Sequence, residues 1–295
     1  MAYKTPEQIA EAAVVAGAAK ARVTWDKALV GGFLAGAYIA FGGLLSIAVT
    51  SGLDPKTWGT LPTLFAGAVF ATGLILVVIA GADLLTGNMA LVPVAALRHK
   101  ASLSQLGFNF SWVLIGNLLG SLFVAYFLAV KSGVIGTGGG TAGTPAALTY
   151  DRLADIAALK GHTESAWQIF LRAVGCNWLV CLAVWLALGA EDISGKILGI
   201  FFPIMAFVAM GFDHVVANMF FLPAALFADV PGLNWGDVLN NWLWAFLGNF
   251  AGAGIFVATS YWFLYLRDTE PDEAAPATTD GTGPGVSAPN VIRPR

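Results

Sequence analysis

The chain has 295 residues, of which 57% are hydrophobic and only 11% charged, with a formal net charge of −3 and a mean hydropathy of +0.74. A soluble globular domain carries roughly 25% charged residues, so there is too little polar surface here to cover a water-soluble particle, and the chain reads as an integral membrane protein. No basic patch points to nucleic acid, and the opening stretch MAYKTPEQIAEAA lacks the apolar region of a signal peptide.

In chain order, Thr5-Pro6-Glu7-Gln8 is a capping box with proline at the first helical position. It predicts an Ala-rich helix to about Ala21 that lies on the cytoplasmic face, within an N-terminal segment 1–26. A transmembrane domain, 27–267, follows with six apolar spans: about 28–49, 61–80 continuing to 97, 106–130, 166–188, 197–210 continuing to 227, and 238–266. Most have the roughly 20 residues that cross a bilayer as helix. The runs are continuously apolar rather than alternating, which excludes a β-barrel. The loop 132–149 contains TGGGTAGTP but no GK[ST], so it is not a phosphate loop. Cys176 and Cys181 are five apart on an apolar span, point to different helix faces, and read as inert packing residues. From 268 to 295, Pro, Thr, Ala, Gly and acidic residues dominate, which reads as a disordered cytoplasmic tail.

The chain is internally duplicated. Asp83 to Pro93 reads DLLTGNMALVP and Asp213 to Pro223 reads DHVVANMFFLP, with Asp, Asn-Met and Pro in the same places. A second pair matches Asn109 through Gly116-Asn117 to Gly120 with Asn241 through Gly248-Asn249 to Gly252. The repeats are about 27–131 and 160–267. Each unit holds three spans, an odd number, so the two halves are expected to be inverted relative to one another. Polar residues at 82–83 and 211–214 interrupt the second and fifth spans, and irregular backbone at that depth is tolerated only where it is buried in protein or lines a cavity. Paired breaks are the sequence's pointer to a solute pathway. With both termini cytoplasmic, ten of the fifteen Lys and Arg residues fall on that side and four on the other, with Arg172 inside the fourth span; the bias predicts this orientation, in a cell (inner) membrane.

His214 is the single histidine inside a span, and an ionisable group at that depth reads as functional by default. Alone it makes neither a bis-histidine haem site nor a multi-histidine metal site, so no metal or cofactor is expected. Asp83 and Asp213 precede the second half of each broken helix, where a carboxylate can cap free N–H groups and favour the helix dipole. Thr86, one turn on, either meets an anion arriving at exposed N–H groups or bonds back to its own helix. Asn177 either faces the pathway or holds two helices together. Asn88 and Asn218 recur in both copies, which indicates a structural job in the break. Phe70, Leu74 and Phe207 are by default core or lipid-facing, and Lys160, just outside the fourth span, is by default a solvated charge.

These broken copies, together with GCNWLVCLAVWLA from Gly175 and MGFDHVVANMFFLP from Met210, resemble the formate/nitrite transporter family over about residues 25–267. The resemblance implies an all-α membrane fold, an aquaporin-like inverted 3+3 repeat of six transmembrane helices with broken second and fifth helices. It also implies a homopentamer with one pore per protomer, carrying formate, nitrite, lactate, acetate or hydrosulfide and involving protons. Carried over position by position, His214 matches the central pore histidine, Thr86 the threonine of the loop breaking the second helix, and Asn177 the asparagine that supports the histidine's surroundings. Phe70, Leu74, Leu84, Val180 and Phe207 match the apolar constrictions, and Lys160 the lysine of the outer vestibule. Leu85 stands where formate channels commonly have phenylalanine, Asp213 where glutamate is common, and Gly87-Asn88-Met89 follows Thr86 in place of the Ser-Thr-Thr or Gly-His-Thr of some subfamilies.

The resulting expectation is a transporter, not an enzyme. Lys160 attracts the anion, Thr86, backbone N–H groups and His214 receive it, and a proton from His214 lets the neutral acid pass the apolar rings. The N-terminal helix is a candidate gate at low pH. A neutral-solute channel for water, glycerol or ammonia is the alternative, although the paired Asn-Pro-Ala boxes of such channels are missing. A redox-enzyme subunit is a further alternative, set against the lone intramembrane histidine and the lack of an iron–sulfur cysteine pattern.

Overall fold

The computed structural model describes residues 3–269; most of the expected tail, from 270 onward, lies outside the described residues. The described chain is helical, with no β-strand beyond an isolated bridge between Tyr3 and Ala190. Helix α1 (Pro6–Ala21) opens with the expected capping box, in which Thr5 and Gln8 bond each other's backbone N–H reciprocally. Then come α2 (Trp25–Thr50), a short α3 (Pro55–Trp58), α4 (Leu61–Ala80), α5 (Leu85–Leu97) and α6 (Leu103–Phe123), which runs on as a π-helical stretch to Lys131. After the loop come α7 (Pro145–Ala158) with a π-helical turn (Leu159–Thr163), α8 (Ala166–Gly189), α9 (Ile193–Ala209), α10 (Val215–Phe227), α11 (Trp235–Ala253) and, past a third π-helical stretch, α12 (Ser260–Tyr265).

Among the described residues, five helical stretches are long and apolar enough to cross a membrane: α2, α4, α6 with its extension, α8, and α11 through α12. The apolar run 61–97 divides into α4 and α5, and the run 197–227 into α9 and α10. Gly81 and Gly211 carry the positive φ (83° and 71°) that ends each first half. α9 begins at Ile193, ahead of the expected span, and has 17 residues. Helix α7 was not anticipated. Its signals are Thr144, which caps Ala147 N–H, and Pro145 at the first helical position.

The packing partners come in matching pairs. α2 packs on α6 and α4, as α8 packs on α11 and α9; α4 meets α9. α1 covers α5, as α7 covers α10. α5 and α10 are the most enclosed helices: every residue from Leu85 to Val92 and from Val215 to Ala225 is buried. The close approach of α2 and α6 depends on glycine, because a Cβ on Gly120 would overlap the carbonyl oxygen of Phe33; Gly252, its match on α11, stands likewise against Val174. Small residues at such crossings let backbones meet. The effect of this arrangement is to hold the two short interior helices, and the irregular turns before them, at the centre of the bundle.

Candidate functional site

Both interruptions are built from the same set of hydrogen bonds. Ahead of α5, Asn88 Nδ2 donates to Asp83 Oδ1 and Asn109 Oδ1 (both 2.8 Å), and Asn109 Nδ2 donates to the Lys20 carbonyl at 3.0 Å. Ahead of α10, Asn218 Nδ2 donates to Asp213 Oδ1 (2.9 Å) and Asn241 Oδ1 (2.8 Å), and Asn241 Nδ2 donates to the Lys160 carbonyl at 3.1 Å. Asn117 Oδ1 accepts from Leu85 N–H while its amide donates to Gly32 and Asp83 carbonyls. Asn249 does the same for Val215 N–H and for the carbonyls of Ala173 and Asp213. These bonds satisfy backbone groups that the broken helices leave open, which is what buried irregular backbone requires.

The carboxylates therefore play a different part from the one expected. Asp83 and Asp213 do not cap the following helices; Asn117 and Asn249 take the first N–H groups instead. Each aspartate accepts from an asparagine and from a lysine, Lys20 Nζ to Asp83 Oδ1 at 2.8 Å and Lys160 Nζ to Asp213 Oδ1 at 2.6 Å. Lys160 is not a solvated charge: its side chain is 10% exposed and that of Asp213 is 0% exposed. An ionised pair this deep is tolerable because each member is matched and hydrogen-bonded.

His214 occupies the N-cap of α10, where its Nδ1 accepts from Ala217 N–H at 3.1 Å. That bond fixes the neutral ring with its proton on Nε2, which lies 2.9 Å from Thr86 Oγ1. The Thr86 hydroxyl accepts from the ring and has its own hydrogen left to donate. Asn177 stands behind this pair. Its amide donates to the carbonyls of Thr86 (3.1 Å) and Asn249 (2.9 Å), so of the two alternatives for Asn177 the structure shows the helix-joining one. Asn177 lines neither of the cavities described next.

Two cavities approach the pair from opposite sides. One, of about 270 Å³, has Phe70, Phe207 and His214 at its floor and Lys160 and Arg152 in its wall. The other, of about 470 Å³, has Leu74 and Leu84 at its floor and Lys20 and Lys27 in its wall. Between them, Phe70, Leu74, Leu84, Val180, Phe207 and His214, with Ile39 and Ile204, enclose a void too tight for water. Phe70 and Phe207 meet edge to face at 5.8 Å between centroids, and Phe207 stacks on the His214 ring at 6.0 Å. Thus the predicted constriction residues and His214 converge, whereas Thr86 lines none of these three spaces and touches them only through His214, Asn177 supports from behind and Lys160 is engaged by Asp213. Missed by the sequence reading were Lys20, Arg152, and the roles of Asn109, Asn117, Asn241 and Asn249, whose recurrence was visible but whose bonds were not. Glu164, buried and paired with Arg172, was missed as well.

Residues 7–263 match the family model for the formate/nitrite transporter. The chain is 47% identical to a probable formate transporter of Methanothermobacter thermautotrophicus, over 90% of this chain and 98% of that protein. It is 43% identical to the formate channel BtFdhC of Bacillus thuringiensis, with the same coverage of both chains. Among solved structures, a pentameric formate channel with formate bound superposes with a TM-score of 0.70 at 28% identity, over 82% of this chain and 98% of that one. This all-helical, multi-pass chain, with its polar pair closed in between two cavities, belongs to the formate/nitrite transporter family, whose matched members are transporters and channels rather than enzymes.

Proposed function

We propose that the chain carries small monovalent anions across a cell (inner) membrane, formate first and nitrite second, through the path between the two cavities. The observation that carries this reading is His214, bonded to Thr86 and the one polar side chain among those that line a tight, otherwise apolar void, with two cavities whose walls hold cations on either side of it. Cations at both mouths favour anions over neutral solutes. The apolar rings act against a bare charge, whose desolvation costs several kcal/mol, and admit the neutral acid more readily.

The geometry refines the role of His214. A proton on Nδ1 would displace the Ala217 N–H bond, so the ring acts as an Nε2–H donor that orders the Thr86 hydroxyl, and the hydroxyl donates to the arriving anion. Proton uptake by the anion then accompanies passage. The matched packing and the matched hydrogen bonds support six membrane helices in an inverted 3+3 repeat with broken second and fifth helices. The Lys and Arg bias supports cytoplasmic termini, and the pentameric neighbour supports a homopentamer with one path per protomer. Lactate, acetate and hydrosulfide are further candidates on the same chemistry.

The test is flux in proteoliposomes, with formate, nitrite, lactate, acetate and hydrosulfide compared by internal pH change and by current. Internal acidification without net current identifies proton-coupled transport and names the substrate, whereas net current that follows the anion gradient identifies a channel. No response to any of the five, with swelling in neutral solutes, refutes the anion reading.

A further inference from the structure

Lys160 was the expected anion-attracting charge, yet its Nζ is taken up by Asp213 at 2.6 Å inside a site from which both side chains are almost wholly excluded from solvent. Arg172, close by, is engaged by Glu164. The wall of the same cavity carries one more cation. Arg152 projects from α7 beside Ile156, one turn further on, and both side chains line the cavity whose floor is Phe70, Phe207 and His214. Arg152 is held by one bond, Nε to Thr50 Oγ1 at 3.1 Å. The Thr50 hydroxyl is itself fixed, because it donates to the Ser46 carbonyl at 2.7 Å. Nothing among the described residues bonds the two terminal amino groups of the guanidinium. Arg152 also borders a shallow acidic groove with Asp151 and Asp155, but no carboxylate forms an ion pair with it.

We propose that Arg152 is the anion-docking residue of this mouth, and that its free amino groups take a planar anion with two acceptor oxygens, a carboxylate or nitrite, before it reaches Thr86 and His214. The chemistry selects that class. A guanidinium anchored at Nε presents its remaining donors as a rigid fork, and two oxygens on one atom match the fork with parallel charge-assisted bonds. Half-burial in a narrow apolar-walled cavity strengthens the pull while leaving the fork reachable. Lys160 then serves to neutralise Asp213 and hold the α10 entrance, and Arg152 gathers the substrate. The opposite mouth repeats this division of labour: Lys20 is engaged by Asp83, and Lys27, in the wall of the second cavity, has no ion pair among the described residues.

This inference rests on the anion-transport reading, and the experiment separates the two. Wild type, Arg152→Gln and Arg152→Lys are purified as the full-length oligomer, checked by size-exclusion and thermal unfolding, and reconstituted for formate and hydrosulfide flux. Wild type without flux for any anion refutes the transport reading itself. If wild type transports, the expectation for Arg152→Gln is a rise in formate KM of about tenfold, the low end of the gain a charged mouth gives, with maximal flux retained. Arg152→Lys keeps the charge and loses the fork, so it should raise KM for formate but hardly for hydrosulfide, which offers a single acceptor atom. Unchanged formate KM in both variants overturns the proposal, as does an equal rise for both anions in Arg152→Lys. Should Arg152→Gln fail to assemble, the formate-to-hydrosulfide comparison in Arg152→Lys decides alone.

Discussion

His214 Nε2 and Thr86 Oγ1 lie 2.9 Å apart although 128 residues separate them in the chain. The contact joins the start of α10 to the first turn of α5, so each repeat supplies one half of the polar pair. If the Thr86 hydroxyl passes the donor function of the ring to the anion, Thr86→Val, which keeps the shape and removes the hydroxyl, should lower formate flux by about tenfold or more, the equivalent of one buried hydrogen bond of about 1–3 kcal/mol left unmade. Thr86→Ser should keep most of the flux. Equal loss in both variants would show that packing, not the hydroxyl, matters there.

The two lysine–aspartate pairs differ in depth, and that difference predicts unequal consequences. Lys160 and Asp213 are 10% and 0% exposed, Lys20 and Asp83 are 26% and 12% exposed. Lys160→Met strands a fully buried carboxylate, a change that costs about 3–5 kcal/mol. Lys20→Met strands one that water can still reach, so the loss should be smaller. Thermal unfolding in detergent should rank Lys160→Met well below Lys20→Met, and Lys160→Met with Asp213→Asn should recover most of the deficit.

Glycines on α6 give a prediction in both directions. A Cβ at Gly120 would meet the Phe33 carbonyl oxygen and the Ala37 nitrogen of α2, whereas a Cβ at Gly107 has nothing within 4 Å. Gly120→Ala must push two backbones apart and should destabilise by about 1–3 kcal/mol. Gly107→Ala sits in open space on the same helix and should stabilise by up to about 1 kcal/mol. Thermal unfolding of the two single variants checks the sign as well as the size.

What the sequence disclosed and what it withheld follow from range. The duplicated motifs marked Asp83, Asn88, Asp213 and Asn218 and the two interruptions, because a repeated polar residue in an apolar run stands out locally. The partners of those residues were not visible. Lys20 lies 63 positions before Asp83 and Lys160 lies 53 before Asp213, in segments that read as an Ala-rich helix on the cytoplasmic face and as the edge of the fourth span. Asn177 kept two readings until its amide was seen to bond the Thr86 and Asn249 carbonyls. The expected aspartate caps failed for a related reason: side chains from α6 and α11, far along the chain, reach the free N–H groups first. Arg152 lay hidden because the loop was drawn over 132–149 with no helix recognised after it, and its face toward the cavity exists only once α7 covers α10.

Glu164 supplies a pH dependence that can be measured without transport. It sits just ahead of α8, is 7% exposed, and has one oxygen with no partner, as does Asp213. Burial first, and the nearby Asp213 carboxylate second, push its carboxyl up from the usual range to about 7, against the pull of Lys160 and Arg172. A raised folded-state value means that the folded chain holds this proton more tightly than the unfolded chain does. The stabilisation is complete below the ordinary carboxylate range and is lost as pH rises toward about 7. Glu164→Gln cannot ionise, while its amide can still accept from Arg172 and donate to Asp213. Thermal unfolding measured across that window should show wild type falling relative to Glu164→Gln as pH rises, with the gap levelling off above it. Parallel curves for the two proteins would mean that the Glu164 carboxyl stays ionised throughout, with Arg172 and Lys160 outweighing burial.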